Sequence, residues 1–230
     1  MKKFFVIAAM LLAGFTAFGQ VNVGAGYVWD FWAQKNGNSK AGTRSMHGVY
    51  AGVSYNINLI EGLGLAPGAY FSWAKGIDLD KDGNKCKDKV NGTEVSFGST
   101  EMALTIPVHI TYSMDMGPGK AFAYLGPAFQ LGLSMKEFLN PKDLQDAWNT
   151  LMPEEVELGY NLYKKYDSDG HRYLSPFDVK LGVGFGYNWK FIQANVGFDF
   201  GFLNRAKTKD YSGDYRETAN AVHAGVAFVF

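Results

Sequence analysis

Hydrophobic and polar residues alternate with period two in eight stretches of this chain. In the seventh stretch, one face holds Ile192, Ala194, Val196, Phe198, Phe200 and Phe202, and the other holds Gln193, Asn195 and Asp199. Successive side chains of a β-strand point to opposite faces, so this period predicts strands. Crossing a bilayer at a tilt takes about 9 to 11 residues, which each stretch supplies. The predicted strands are residues 21–32, 46–59, 63–74, 97–112, 121–134, 177–188, 191–203 and 217–230.

The connections between these strands alternate between short and long. The short ones are residues 60–62, 113–119 and 189–190, and the long ones are 33–45, 75–96, 135–176 and 204–216. Outer-membrane barrels have short periplasmic turns and long outer loops. The pattern therefore predicts an all-β fold, an eight-stranded antiparallel up-and-down transmembrane β-barrel in the bacterial outer membrane. The alternative is a lipocalin-like soluble barrel, which would be extracted without detergent.

The two ends of the chain agree with export to that membrane. Residues 1–19 have the form of a signal peptide, with Lys2 and Lys3 before an apolar stretch and Ala17-Phe18-Gly19 as the cleavage site. Residues 20–230 are then the barrel domain. The alternating C-terminal residues Val226, Phe228 and Phe230 resemble the signal by which the outer-membrane assembly machinery recognises its clients.

Composition and charge narrow the class further. The mean hydropathy is −0.12 because apolar and polar rows cancel within each strand. No run of about 18 apolar residues follows residue 19, so no membrane-spanning helix is predicted. The 22 basic residues balance 22 acidic ones, and removing the signal peptide leaves 20 basic residues, so no nucleic-acid partner is implied. Cys86 is the single cysteine, which excludes an internal disulfide.

The inward rows of the predicted barrel contain ionisable side chains. The expected polar network of the lumen is Asp30, Glu101, His109, Asp178, Lys180, Asp199 and His223. A charge in a narrow lumen needs a partner, so Lys180 is expected to pair with Asp178, Asp199 or Glu101. The alternative is a narrow porin-like channel for water or small solutes. Gly182, Gly184 and Gly186 follow strand periodicity and open no helix, so they predict packing rather than a dinucleotide site.

An enzyme that modifies lipid or peptide is a third class of function. Such a barrel needs a nucleophile or base at its lipid face or outer rim. The predicted lipid-facing rows carry no Ser, His, Asp or Glu in their central portions. His109 and His223 point inward, and His47 lies at the edge of a strand beside a loop. No catalytic residue is therefore predicted.

The long connection 135–176 has helical features. Asn140 is expected to cap a helix that begins at Pro141 and carries Leu144 and Trp148 on one face. A second helix is expected from Pro153, with Val156, Tyr160 and Tyr163 on one stripe and Lys164-Lys165 in its last turn. This helical insertion in the third outer loop is expected to cover the barrel mouth or to present a surface outside the cell.

Two acidic loops resemble calcium-binding sequences. Residues 167–178 place Asp167 and Asp169 at the first and third positions of an EF-hand loop, but Arg172 replaces the glycine of its turn. Asp78, Asp80 and Asp82 begin the second loop, where Lys89 occupies the position of the bidentate glutamate. No other cofactor is predicted, and calcium stays open at these two loops.

Three internal motifs and the C-terminal row resemble a known family. Residues 101–108 (EMALTIPV), 124–128 (YLGPA) and 182–186 (GVGFG) are similar to the PorT-like outer-membrane β-barrel family of Bacteroidetes. The resemblance covers essentially the whole mature chain and implies an eight-stranded barrel. One branch of the family assists protein secretion, and no motif here carries that role. The 42-residue loop is longer than is usual in the family, which favours an extracellular partner.

These features lead to one hypothesis and two alternatives. The hypothesis is a non-enzymatic outer-membrane barrel, embedded among outer-membrane lipids, whose outer loops mediate interaction with an extracellular protein or glycan or support the envelope. The alternatives are the narrow channel and the lipid- or peptide-modifying enzyme.

Overall fold

A computed structural model describes residues 19–90, 92–151, 158–164, 172–207 and 215–230. Within these ranges the side chains of Asp143, Asp146 and Leu151 are not described. The predicted signal peptide, apart from Gly19, lies outside the described residues. Asp167 and Asp169 of the first calcium hypothesis also lie outside them.

Nine strands form one antiparallel sheet in the described part of the chain. They are β1 (Gly19–Asn36), β2 (Ser39–Ile60), β3 (Leu63–Asp80), β4 (Lys87–Val90), β5 (Thr93–Met116), β6 (Gly119–Asn140), β7 (Phe177–Trp189), β8 (Ile192–Gly201) and β9 (Tyr215–Val229). Pairing of β3 with β5 and of β1 with β9 closes eight of these strands into a ring. The short β4 pairs only with β5, outside the ring. The prediction of an eight-stranded barrel is confirmed.

The outer surface of the ring is apolar. Val49, Ile110 and Phe185 expose 58%, 57% and 66% of their surface, and similar residues follow around all eight strands. An apolar belt of this extent is incompatible with water and matches the lipid-facing band of membrane barrels. Among the described residues, no helix has the length and apolar character needed to cross a membrane.

The strands continue farther on the outer side than the sequence predicts. Residues 33–45 are not a loop, because β1 and β2 run on to a two-residue turn at Gly37 and Asn38, where Gly37 has a φ of 59°. In this extension Arg44 and Met46 still point inward, but the outward face carries Thr43 and Ser45 instead of apolar residues. Hydrophobic alternation on β2 therefore stops in this extension, although the strand does not.

The third outer connection differs from its prediction in detail. Asn140 is the last residue of β6 and not a helix cap, because Pro141 takes the cap position of a 3-10 turn (Lys142–Leu144) without a side-chain cap bond. The α-helix α1 (Gln145–Leu151) follows. Residues 153–157 and 165 of the second predicted helix lie outside the described residues, and residues 158–164 form a series of turns instead of a helix.

These turns cover the edge of β6 that β7 leaves unpaired. β7 pairs with β6 only as far as Leu131. Beyond that point, the N–H of Gly159 donates to the carbonyl of Glu137 (2.9 Å), and the N–H of Leu162 donates to that of Met135 (2.8 Å). The loop thereby meets the backbone hydrogen-bonding needs of an exposed edge. It also brings Leu162 and Tyr163 into the barrel mouth.

The C-terminal residues close the ring beside the N-terminal strand. Val21 and Phe230 exchange two backbone hydrogen bonds of 3.2 and 2.9 Å. The three residues of the expected assembly signal, Val226, Phe228 and Phe230, are outward and exposed by 60%, 56% and 70%. Recognition of this row by the assembly machinery stays a prediction.

Candidate functional site

A cavity of about 460 Å³ occupies the inner half of the barrel. The cavity extends from the end of the barrel that carries the turns at 61–62, 117–118 and 190–191, where Lys120 and Lys190 lie at its rim, to Asp30, Gln130 and Lys180. Tight turns mark the periplasmic side of outer-membrane barrels, so the cavity faces the periplasm.

Aromatic and imidazole rings from four strands form the middle of the cavity. The ring centroids of His109 and Tyr124 are 4.7 Å apart and stacked, and His223 contacts Tyr50 edge-on at 5.8 Å. His223 Nε2 lies 3.8 Å from Asp199 Oδ2. His109 Nε2 and the Tyr124 hydroxyl are buried and find no hydrogen-bond partner among the described residues. Water or a small polar solute would satisfy both groups.

Glycines in β7 and β8 make room for these rings. A Cβ atom at Gly197 would stand 1.9 Å from the Tyr124 hydroxyl, and one at Gly182 would stand 2.6 Å from His109 Nε2. The packing role predicted for the inward glycines is therefore visible at Gly182 and Gly197.

The predicted lumen network divides into two groups. Asp30, Asp178 and Lys180 are buried together, and the Lys180 ammonium attracts the carboxylates of Asp30, Asp178 and Asp199. Glu101 lies above them and pairs with Arg205, whose Nη1 is 3.3 Å from Glu101 Oε1. Pairing of Lys180 with Asp178 or Asp199 stays a prediction. Glu101 pairs with Arg205, which lies in a segment predicted to be an outer loop.

Arg205 is fully buried at the outer end of the lumen. Its Nη2 donates to the Tyr163 hydroxyl (2.6 Å), which itself donates to Glu101 Oε1 (2.5 Å). Its Nε donates to the carbonyl of Ser175 (3.1 Å), and its guanidinium lies 4.2 Å above the Trp32 ring. Every face of the charge is therefore occupied by a carboxylate, a polar oxygen or an aromatic ring.

Apolar side chains surround this charged centre. We term the four loop residues Leu162, Tyr163, Leu174 and Arg205 the outer plug. The apolar members of the plug pack in one buried cluster with inward residues of the barrel wall, which include Trp32, Met46 and Met135. A Cβ atom at Gly132 would lie 2.3–2.6 Å from the Tyr163 ring, so the wall is shaped to admit that ring. The plug lies between the cavity and the outside.

A second buried charge cluster lies in the outer extension of the strands. Arg44 Nε donates to Glu217 Oε1 (2.5 Å), and Arg44 Nη1 pairs with Glu137 and lies 3.7 Å from Asp78 Oδ2. Ser99 accepts from Arg44 Nη1 at 3.0 Å. Burial raises the pKa of Asp78 to about 6, although Arg44 acts in the opposite direction. The neighbouring carboxylates raise the pKa of Arg44 and outweigh its burial.

The second calcium hypothesis is not supported by this geometry. Asp78 faces Arg44 and Ser99, whereas Asp80 Oδ1 accepts the backbone N–H groups of Asp82 and Asn84 at 2.9 and 2.8 Å. Asp78, Asp80 and Asp82 therefore do not converge. Across the described ranges, no group of three or more His, Cys, Asp or Glu side chains is arranged to hold a metal ion. Calcium at Asp167 and Asp169 stays a prediction.

Four of these functional side chains were missed from the sequence. Arg44, Glu137 and Arg205 lie in segments predicted to be outer loops, and Tyr163 lies in a segment predicted to be helical. The one usable sign was the continued inward spacing of Gly42, Arg44 and Met46 on β2. Arg205 follows the end of β8 and has no periodic neighbour that could reveal its burial.

An apolar exterior, a polar interior and a closed antiparallel ring define a transmembrane β-barrel. Closure is what permits strands to span a bilayer, because it leaves no backbone edge unpaired in lipid. Residues 11–206 match the family model for the outer membrane protein beta-barrel domain. The chain belongs to this family and is a protein of the bacterial outer membrane.

Three solved structures similar to the chain have low sequence identity to it. Neisserial surface protein A is 12% identical, with 91% of this chain and 97% of the other covered and a TM-score of 0.45. Ail of Yersinia pestis, in complex with the heparin analogue sucrose octasulfate, is 9% identical over 93% and 99%, with a TM-score of 0.43. OprG of Pseudomonas aeruginosa is 10% identical over 93% and 96%, with a TM-score of 0.43. No curated protein matches the chain significantly.

Proposed function

We propose that this protein is a sealed, non-enzymatic barrel whose rigid outer extension mediates interaction outside the cell or supports the envelope. The outer plug is the observation that carries the proposal. It joins Arg205, Tyr163 and Glu101 in one buried network and surrounds them with apolar contacts, so the barrel has a cavity on one side and a packed mouth on the other.

The extension above the plug is ordered by its own contacts. The Arg44 cluster joins strands β2, β3, β6 and β9, because Asp78, Glu137 and Glu217 come from the last three of these. A second apolar cluster of Val90, Val95, Leu139, Trp148 and Leu158 fastens α1 against the sheet. Rigid presentation lowers the entropy lost on binding, which favours a role as a docking surface for an extracellular protein or glycan.

The sealed mouth predicts an electrically silent protein. Purified wild-type barrel in planar bilayers is expected to show no openings above the background of protein-free membranes, because the described residues of the plug pack against the inner wall of the mouth. The control is a known open porin inserted under the same conditions. Regular conductance steps from the wild-type protein would contradict the sealed barrel.

The outer extension predicts a phenotype that depends on its hairpin tips. In cells lacking the native protein, a variant with residues 81–85 replaced by Gly and Ser is expected to fail to restore exclusion of a large dye or surface attachment. The matched control replaces the periplasmic turn at Gly117 and Pro118 and is expected to restore it. Equal restoration by both variants would contradict a role for the outer surface.

The narrow channel is the second candidate, and one observation favours it. The cavity is lined by polar groups. Two of them, His109 Nε2 and the Tyr124 hydroxyl, have no hydrogen-bond partner among the described residues and are therefore available to bind water in a passage. Conduction would need displacement of the plug, so the bilayer measurement separates the two candidates. Turnover of lipid or peptide that depends on His47 or His109 would instead favour the enzyme.

Within the family, we propose that the chain belongs to the PorT-like branch. The proposal rests on the resemblance of residues 101–108, 124–128 and 182–186 to that branch. It includes no role in protein secretion, since no motif of the chain carries one.

A further inference from the structure

A row of polar and cationic side chains crosses the outer edge of the lipid-facing band. Residues paired directly across neighbouring strands place Trp29, His47, Lys75, Thr100 and Lys136 side by side on β1, β2, β3, β5 and β6. His47, Lys75 and Lys136 are exposed and occupy outward positions. Adjacent strands are about 4.8 Å apart, so the two lysines start about 10 Å from each other.

The height of the row is that of the lipid headgroups in the outer leaflet. Trp73 precedes Lys75 by two residues on the same face and is 42% exposed, as is typical of the aromatic girdle. Below Trp73 the outward face continues with the exposed ring of Phe71. Beyond Lys75 begins the extension that carries the buried Arg44 cluster inside. The row therefore lies between the exposed apolar belt and a set of partly buried outward positions, of which Phe31, Ile77 and Phe138 are apolar and Ser45 is polar.

Its aromatic neighbours hold the row in place. His47 Nδ1 shares a hydrogen bond with the Tyr27 hydroxyl, and its ring stacks on Trp29 with centroids 5.7 Å apart. Trp29 Nε1 donates to Ser45 Oγ at 3.0 Å. The Lys75 ammonium lies 4.4 Å from the centroid of the Phe138 ring, which lies over Gly98 on the same outer face. These contacts reduce the entropy that the side chains would lose on binding a ligand.

Among the described strand residues, no carboxylate lies near the positive charges of the row on the same face. Within four residues of the row, the outward positions of β2, β3, β5 and β6 contain no Asp or Glu. The nearest acids along these strands, Asp78, Glu101 and Glu137, face inward and contact Arg44 or Arg205. The basic row and the buried acids thus belong to opposite sides of the same wall.

We infer that His47, Lys75 and Lys136 form a site for the phosphorylated headgroup of an outer-leaflet lipid. Phosphate oxygens accept hydrogen bonds from ammonium and imidazole groups, and the Trp29 and Trp73 rings pack against the headgroup–acyl boundary. Lipid is the occupant because the row lies at headgroup depth and continues directly into the lipid-facing band. The site lies on the outside of the wall and is independent of the plug.

Lipid retention on the purified barrel tests this site. The probe is bisphosphorylated lipid A added to the full-length protein in neutral detergent, with bound lipid counted by native mass spectrometry. The double variant K75Q/K136Q is expected to bind it more weakly by about fivefold for each lysine removed. The matched control is K120Q/K190Q, which removes two exposed lysines at the periplasmic rim and is expected to bind as the wild type does.

Two further arms separate the source of the phosphate and the state of the fold. Dephosphorylated lipid A is expected to bind the wild type as weakly as the double variant binds the phosphorylated form, and inorganic phosphate alone is expected not to bind. Heat-dependent electrophoretic mobility verifies that each variant is a closed barrel. The inference would be overturned if both double variants bound lipid A equally well. It would also be overturned if the wild type bound dephosphorylated and phosphorylated lipid A equally well.

Discussion

Replacing Arg205 with methionine is expected to lower the free energy of unfolding by about 3 to 5 kcal/mol and to make the silent barrel conduct. The guanidinium is the buried counter-charge of Glu101, which is itself only 2% exposed. Methionine keeps apolar contact with Trp32 but leaves the Glu101 carboxylate uncompensated. That carboxylate then recovers its hydration only if Tyr163 and its loop leave the mouth.

Urea unfolding in lipid vesicles and single-channel recording in planar bilayers measure the two effects. Adding Glu101→Gln to Arg205→Met is expected to recover part of the stability and to reduce the openings, because the unpaired charge is gone. The matched control is Arg216→Met, an exposed arginine on β9, for which a change within about 0.5 kcal/mol and no openings are expected. A silent Arg205→Met variant of wild-type stability would refute the role of the ion pair in sealing the mouth.

The membrane-spanning part of the fold could be predicted from the sequence because contact with lipid restricts which residue types can occupy the outward positions of each strand. Each lipid-facing position must be apolar, and the narrow lumen needs polar or small residues, so period two persists along β5 and β8. The prediction of inward and outward rows on these strands is confirmed by the exposure of Met102 and Ile106 on β5 and of Phe200 on β8. Closure then follows from the even number of strands and the alternating connections.

The outer extension of the strands and the plug could not be predicted from hydrophobic alternation. These parts contact water and the protein's own loops, and neither environment requires apolar residues at every second position. Along β2 beyond His47, the outward residues Ser45 and Thr43 are polar, so hydrophobic alternation vanishes on this strand while its pairing with β1 continues to Asn36 and Ser39. The plug depends on a different kind of information. Tyr163 meets Gly132 and Arg205 meets Glu101 across 31 and 104 positions, and side chains in irregular loops follow no period that would expose such contacts.

Arg44→Met is expected to destabilise the outer extension by about 3 to 5 kcal/mol at neutral pH without opening the barrel. Its three carboxylate neighbours, Asp78, Glu137 and Glu217, would lose their shared counter-charge, and Glu217 is only 1% exposed. The plug lies below this cluster and keeps its own ion pair. Bilayer recordings of Arg44→Met are therefore expected to stay silent, in contrast to those of Arg205→Met.

The pH dependence of that destabilisation follows from the pKa of Asp78. Burial raises the pKa of Asp78 from its ordinary value of 3.8 to about 6. The folded protein therefore binds the proton more tightly, and Asp78 lowers the free energy of unfolding as pH rises from about 4 to 6. Arg44 acts to lower the same pKa, so its loss moves the pKa of Asp78 further upward. The deficit of Arg44→Met in urea unfolding is therefore expected to be larger at pH 8 than at pH 5. Adding Asp78→Asn should reduce the deficit at pH 8, whereas a deficit that does not vary with pH or with Asp78 would show that lost packing is its cause.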